Sequence, residues 1–513
     1  MNAKIRRQLK RRKRRVEARI DKGNWSGRTA MIHTPGINYE LAEKQQAISA
    51  GGIGAVLQLM QQLDLRKKIN QAIPLLKLYL PYDEADHVFN IALNLLAGGT
   101  CLDHLETRRT DEAYLNALGA ERIPDPTTAG DFCRRFSETD ILKLTEAFNE
   151  VRLQVWQRQP DEFFEVAIIE ADGSMVETGG EKKEGIGMNY KKQWGYHPLV
   201  ITLANTGETL HIVNRSGNRP SHEQAPHYLD LAIQLCRKAG FRRIVVRGDT
   251  DFALTEYFDR WTEDGVEFVF GIDKMPKLVG IADSLENTAW NPLRRRRKKL
   301  VQTSRRRRRP NYKQAIVEKN GYENKRLKQE HVAEFDYQPG KCSRPYRVIA
   351  LRKDVEVTRG QQRLFNDEPY FFYITNASSR TTSSRQVVFA ANDRCDQENT
   401  ISQLKACGAL AAPLQDLVSN WAYMVIASLA WSLKIWSGLV IRPRGSHEMK
   451  EQQTATKRQI IRMDFRTFCQ RVIQIPAQII RRSRQLIYRL LSYRESMEPL
   501  LLIHDNLCRP LRC

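Results

Sequence analysis

Phe163-Phe164-Glu165-Val166-Ala167-Ile168-Ile169-Glu170-Ala171-Asp172-Gly173 is the stretch at which the chain changes period. Upstream, apolar residues recur at three- and four-residue steps. Here Phe164, Val166, Ile168 and Ile169 make a β-rich run that closes on an acid and a glycine. Downstream, Leu199–Leu203 and Thr209–Val213 read as strands joined by Asn205-Thr206-Gly207-Glu208, whose Asn and Gly tolerate the positive φ of a tight turn. Tyr228–Ala239 reads as an amphipathic helix, and Arg243–Arg247 as a strand closing on Gly248-Asp249. Strand, hairpin, helix, strand is the order of an α/β core with an acid at each of two strand ends.

The flanks read differently. Residues 1–48 form a basic arm and linker; the plain alternative to a DNA grip is a solvated, disordered tail. Residues 49–160 are patterned as helices: Val56, Leu57, Leu59 and Met60, then Val88, Ile91, Ala92 and Leu95. Pro124, Asp125 and Pro126 break that run, after which Thr127, Thr128 or Asp131 is placed to cap a helix carrying Phe132, Arg135 and Phe136. Helices on either side of such a break fit a helix-turn-helix or an ordinary packing pair. The core is assigned to 161–261 and 386–440, divided by a β-rich basic insertion over 262–385 with strands at Val266–Gly271, Arg347–Leu351 and Tyr370–Thr375. Helical patterning returns at Asp393–Gly408 and Leu414–Val440, and 441–513 reads as a helical C-terminal region, basic from Lys457 to Tyr493.

Charge narrows the partners. The 513 residues carry 82 Lys+Arg against 59 Asp+Glu, a net of +23. Met1–Lys22 holds 11 basic and 2 acidic side chains, and Arg294–Arg309 holds 11 basic and none acidic, so two short segments carry 20 of the 23. Charge concentrated in this way suits a polyanion, and nucleic acid above all. Arg294, Arg295, Arg296, Arg297, Arg305, Arg306, Arg307, Arg308 and Arg309 are the candidate backbone contacts, with a solvated loop as the plain alternative. Trp290, beside that tract, reads as a packed core side chain rather than a stacking platform. The basic N-terminus has no apolar run behind it, unlike a secretory signal. Trp421–Val440 is interrupted by Ser428, Ser432, Lys434 and Ser437 and reads as a buried core helix rather than a membrane span. The nine cysteines form no Cys-x-x-Cys pair, as expected of a soluble protein of a reducing compartment.

Strand ends of an α/β sheet face one crevice, where ligands are bound. Asp172 and Asp249 each stand at such an end, and paired carboxylates there suit Mg²⁺, a hard ion that leaves positions for phosphate oxygens and water. Glu398, in the helix Asp393-Arg394-Cys395-Asp396-Gln397-Glu398-Asn399-Thr400-Ile401, is the candidate third acid of a two-metal site. The plain reading of any one strand-end Asp is a turn or cap residue. Asp251 shares a strand face with Asp249 and is its rival, Asp249 being favoured at the strand exit. Glu170 shares a face with Asp172 and reads as a paired core carboxylate.

Asp172, Asp249 and Glu398 resemble the Asp-Asp-Glu triad of bacterial insertion-sequence transposases with a ribonuclease-H-like fold. Arg394-x3-Glu398-x6-Lys405 is similar to the subgroup signature Tyr-x2-Arg-x3-Glu-x6-Lys, and 148 residues separate Asp249 from Glu398, room for the insertion this subgroup places there. Arg247-Gly248-Asp249-Thr250-Asp251-Phe252 resembles the second-acid motif, and Gly195-Tyr196-His197-Pro198-Leu199 is also similar; the nearest likeness is to the insertion sequence thirteen-eighty family. The signature tyrosine falls at Ala391, so its contact is absent or supplied elsewhere, with Phe389 the candidate.

The resemblance implies an α/β, ribonuclease-H-like core and cut-and-paste transposition. The enzyme would bind terminal inverted repeats, cleave the element ends by metal-dependent hydrolysis and join the 3′-OH ends to target DNA. It implies two Mg²⁺ ions, replaceable by Mn²⁺, on Asp172, Asp249 and Glu398, with Arg394 and Lys405 on backbone phosphate. It further implies double-stranded DNA as partner, a homodimer in the synaptic complex, no membrane, and a bacterial cytoplasm, on the nucleoid. Rival readings are a nuclease on the same fold without strand transfer and an inert DNA-binding regulator derived from a transposase. An RNA-binding protein is disfavoured because no aromatic-rich nucleic-acid-binding strand motif is visible.

Overall fold

A computed structural model describes residues 3–21, 46–77, 81–295, 312–359, 362–367, 369–482, 485–491 and 497–508. The chain divides into two compact units, the first comprising 1–164, 173–219 and 399–513, the second 165–172 and 220–398.

The second unit is built on a mixed sheet. Its principal elements are β1 (Val166–Gly173), α1 (Ala225–Ala239), β2 (Arg243–Gly248), β3 (Glu267–Ile272), β4 (Glu323–Tyr337), β5 (Tyr346–Arg359), β6 (Tyr370–Thr375) and α2 (Ser384–Asn392). The strand order runs Asn291–Pro292, β4, β5, β6, β3, β2, β1. β1 and β3 flank β2 in parallel, with Ile168 opposite Val245 and Val246 opposite Phe268. β3–β6, β6–β5 and β5–β4 are antiparallel. The parallel half thus ends in the two acids, and strands of the 262–385 segment continue that same sheet.

The strands form where the sequence is densest in β-branched and aromatic residues, as sheets covered on both faces require. Along β3 the side chains alternate between faces. Phe268 and Phe270 stack on Phe258, with ring centroids 4.3 and 5.7 Å away. Val269, on the other face, packs with Ile349, Leu351 and Val332 against Val387 and Val388 of α2. Ser383 caps α2 in a reciprocal capping box with Gln386.

In the first unit, helices include Ala3–Asp21, within the expected basic arm, and Ile53–Gln62, Leu65–Ala72, Glu84–Leu96 and Glu138–Trp156. Asp125 caps the helix Pro126–Cys133, its Oδ1 accepting from the Thr128 amide at 2.9 Å. The expected caps Thr127, Thr128 and Asp131 lie inside that helix, because Pro126 fills the first helical position and leaves Asp125 as the preceding extended residue. Leu417–Leu439 is buried along its length, as read from its serines and lysine.

The hairpin Leu199–Leu203 to Glu208–Val213 closes at Gly207, with φ of 74°. A correction falls in the C-terminal region. Residues Ala477–Arg482 and Gln485–Leu490, expected to be helical, pair as antiparallel strands. Pro476 bars continuation of a helix, and Ile479, Ile480, Ile487 and Tyr488 suit a pleated, half-buried surface.

Candidate active site

β1 delivers Asp172 and β2 delivers Asp249, one residue past its end. Asp249 also fills the plain role expected of a strand-end acid. Its Oδ1 accepts from the Asp251 amide at 3.1 Å and caps the short 3-10 turn Thr250–Phe252, which leaves Oδ2 for another partner. The long helix read from Asp393 does not begin there. α2 stops at Asn392, Asp393 and Arg394 form a turn, and α3 (Cys395–Ala406) starts afresh. Arg394 therefore lies in a break between helices rather than on the helical face with Glu398. The Asp396 and Gln397 amides bond to the Asp393 and Arg394 carbonyls as the new helix nucleates.

That break aims the Arg394 guanidinium at all three acids. Nη1 lies 3.4 Å from Asp172 Oδ2 and 3.3 Å from Asp249 Oδ2, and Nη2 lies 3.5 Å from Glu398 Oε1. Three carboxylates thus lie within 3.5 Å of one guanidinium. Arg394 and Asp172 are largely buried, whereas the Glu398 side chain is 59% exposed and accessible to a ligand. Burial raises the Asp249 carboxyl above its ordinary range, Arg394 pulls it down, and Asp251 and Glu398 add to the rise.

Two residues before each strand-end acid, the strands carry a second charge pair. Glu170 and Arg247 are opposite one another in the parallel register, and Arg247 Nη2 donates to Glu170 Oε1 at 2.5 Å. Arg247 Nη1 donates to the Ala390 carbonyl at 2.8 Å, tying the end of α2, and so the Arg394 turn, to both acid-bearing strands. Burial pushes Glu170 up to about 7 against the pull of Arg247. Glu170 is thus the paired core carboxylate expected of it. The positioning role of Arg247 was missed, although Glu170 and Arg247 each precede an acid by two residues, and that common offset is visible in the sequence.

The remaining candidates have other partners. Lys405, in the first unit, donates from Nζ to the Met175 carbonyl at 2.7 Å, and burial lowers its pKa. Arg295 makes a two-pronged pair with Glu330, at 2.5 and 2.8 Å, so its charge is already matched. Arg294 is exposed, and its carbonyl accepts from Arg385. Arg296, Arg297 and Arg305–Arg309 lie outside the described residues. Trp290 is buried, with the Arg352 guanidinium 4.5 Å from its ring centroid. Ala391 packs on the Val387–Val388 cluster, and Phe389 carries the guanidinium groups of Arg385 and Arg295 over its ring at 5.2 and 6.0 Å.

The donor set, three carboxylates with hard oxygens and no sulfur or imidazole, is of the kind that holds Mg²⁺ or Mn²⁺. Among the described residues no three His, Cys, Asp or Glu side chains converge closely enough to hold an ion in this conformation. Arg394 occupies the centre of the group instead.

A search of curated proteins returned no match. Among solved structures the chain is similar to the piggyBac transposase synaptic complex with hairpin DNA, at 9% identity and a TM-score of 0.35, over 83% of this chain and 86% of that one. Residues 42–509 match the family described as "Transposase DDE domain group 1", and across that span the chain belongs to this family of transposases.

Proposed function

We propose that this transposase works by cut and paste: it binds the terminal inverted repeats of an insertion sequence, hydrolyses the phosphodiester at each element end, and joins the freed 3′-OH to target DNA. The observation that carries the reading is the convergence of Asp172, Asp249 and Glu398 on Arg394, in a chain that belongs to a DDE transposase family. Of the finer assignments, the ribonuclease-H-like core rests on the resemblance of Asp172, Asp249 and Glu398 to the triad, and the Tyr-Arg-Glu-Lys subgroup and insertion sequence thirteen-eighty family on the Arg394-x3-Glu398-x6-Lys405 spacing with the motifs at Arg247–Phe252 and Gly195–Leu199.

Asp172, Asp249 and Glu398 would hold the divalent cations. Bound there, Mg²⁺ or Mn²⁺ would supply an activated water and stabilise the leaving oxygen. The chain's own residues prepare that site. Arg247 and Glu170 fix the two strand ends and the end of α2 in one frame, and Arg394 balances the acids until cations and phosphate enter. An arginine released from the acids is then available to a DNA phosphate. Arg294 and the basic tract beyond it would add salt-sensitive backbone affinity without reading sequence. Synapsis of two ends requires two copies of the chain.

A labelled element-end duplex incubated with Mg²⁺ or Mn²⁺ tests the reading. The native protein should cut and then join the 3′ ends to a second duplex, while Glu398→Gln binds without cutting. Cutting without joining would favour the nuclease reading. Equal cutting by both proteins would remove Glu398 from the site.

A further inference from the structure

Four residues after Asp172 in sequence, the first unit contains a small tongue of three antiparallel strands, Val176–Glu177, Gly187–Met188 and Trp194–Tyr196. Its tip, Asn189-Tyr190-Lys191-Lys192-Gln193, is built to hold one shape. Asn189 Oδ1 accepts from the Lys191 and Gln193 amides at 2.9 and 3.0 Å, and Asn189 Nδ2 donates to Gln193 Oε1 at 2.8 Å. Gln193 Nε2 donates in turn to Glu177 on the outer strand. Lys192 sits at φ of 61°, an uncommon conformation for a residue with a side chain.

This rigid tip displays what most proteins bury. Tyr190 is 89% exposed, Trp194 52% and Met188 46%, and Met188 and Trp194 are direct cross-strand partners on one face. Lys191 and Lys192 are exposed beside them, with Lys191 Nζ 5.4 Å from the Tyr190 ring centroid. Three large apolar side chains within seven residues, interleaved with two lysines, lack any covering element among the described residues. Isolated exposed apolar residues need no explanation, but three on one hydrogen-bonded tip indicate a partner.

We propose that the tongue tip is a DNA contact, in which Trp194 and Tyr190 stack on an unpaired base at an opened or single-stranded DNA end while Lys191 and Lys192 hold its phosphates. Aromatic faces with flanking cations match the two exposed features of a strand end, its base planes and its phosphates. The fixed tip means that little ordering is needed on binding. Residues 185–194 carry two lysines and no acid, so the tip's own charge favours a polyanion. The inference rests on the transposase reading and adds to it a base-stacking element outside the acidic group.

The test uses the full chain, without metal, and a duplex bearing a short single-stranded tail with 2-aminopurine as its first unpaired base. The native protein should quench that fluorophore and prefer the tailed duplex to a blunt one. Tyr190→Ala with Trp194→Ala should abolish the quench and weaken tailed-duplex binding about tenfold, leaving blunt-duplex binding unchanged. Lys191→Gln with Lys192→Asn, the Asn chosen to tolerate the positive φ, should instead reduce the slope of log affinity against log salt by about 1.4, the value for two single-strand phosphate contacts. All four side chains are exposed, so melting temperatures should match the native value. Unchanged quench and affinity in the aromatic variant, while the native chain still binds DNA, would overturn the tongue alone. A changed sedimentation coefficient with unchanged DNA binding would make the patch an interface between copies and equally overturn it. Failure of the native chain to bind any DNA would overturn this inference and the transposase reading together.

Discussion

At Glu208 one carboxylate is met by four donors; at Arg394 one guanidinium is met by three carboxylates. Glu208, fully buried in the first unit, accepts from Arg152 Nε at 3.2 Å and from Trp156 Nε1, Trp436 Nε1 and Thr206 Oγ1 at 2.8 Å each. Every lone pair that matters is used, and the result joins the hairpin turn to the helices Glu138–Trp156 and Leu417–Leu439. In the second unit, one guanidinium faces three carboxylates at 3.3–3.5 Å. A saturated acid holds a fold together; acids gathered around a single guanidinium attract cations. Burial alone does not separate these roles, since Asp172 is also largely buried. The ratio of donors to carboxylates does.

The sharpest way to break that distinction is to remove acids from each group in turn. Asp249→Asn or Glu398→Gln should slow end cleavage on the order of 10³-fold. Thermal melting of either variant should show stability kept to within about 0.5 kcal/mol, as for an exposed or mutually repelling acid. Glu208→Ala should show the reverse pattern. It removes the carboxylate paired with the buried Arg152, and should lower stability by roughly 3–5 kcal/mol in denaturant unfolding. Cleavage per folded molecule should be preserved below the midpoint. Both substitutions lowering stability alike would erase the contrast.

Lys434 gives a finer test of charge in the first unit. It is fully buried in Leu417–Leu439, donates from Nζ to the Ile461 carbonyl and lies 4.4 Å from the Trp431 ring centroid. Burial pulls its pKa down to about 7, with Asp464 pulling the other way. The folded-state value lies below the unfolded one, so between pH 7 and about 10.4 the unfolded chain binds the extra proton. This group's contribution to stability therefore rises with pH across that window. Lys434→Met should remove a slope of up to about 1.4 kcal/mol per pH unit from the stability profile. An unchanged profile would mean that the ammonium is charged when folded. The smallest expected effect is at the other cluster: Arg394→Gln should tighten Mn²⁺ binding about tenfold at low salt, because it removes a competing cation within contact distance of three acids. Weaker Mn²⁺ binding would mean that Arg394 organises the acids rather than competes with cations for them.

Much of this was legible in the sequence. The strands Leu199–Leu203 and Tyr370–Thr375 have the bounds expected of them, and Asp172 and Asp249 stand at or just past strand ends because Val/Ile-rich runs stop at small and acidic residues. What was not legible depends on register and on local breaks. No period in Asp393–Gly408 signals that the helix restarts at Cys395, yet that restart turns Arg394 from a helix-surface charge into the hub of the acids. Glu208 read only as part of a turn, since its partners come from residues 152, 156 and 436, far apart in the chain. The C-terminal strands were missed because basic residues at a half-buried surface blur a two-residue period into a helical one.

The most direct measurement is Mn²⁺ binding followed by electron paramagnetic resonance. The native chain would be compared with the triple variant Asp172→Asn, Asp249→Asn, Glu398→Gln at matched melting temperature. Saturable binding by the native chain, abolished in the variant, is the predicted result. Equal binding by both would show that these acids are not the metal centre and would contradict the account at its core.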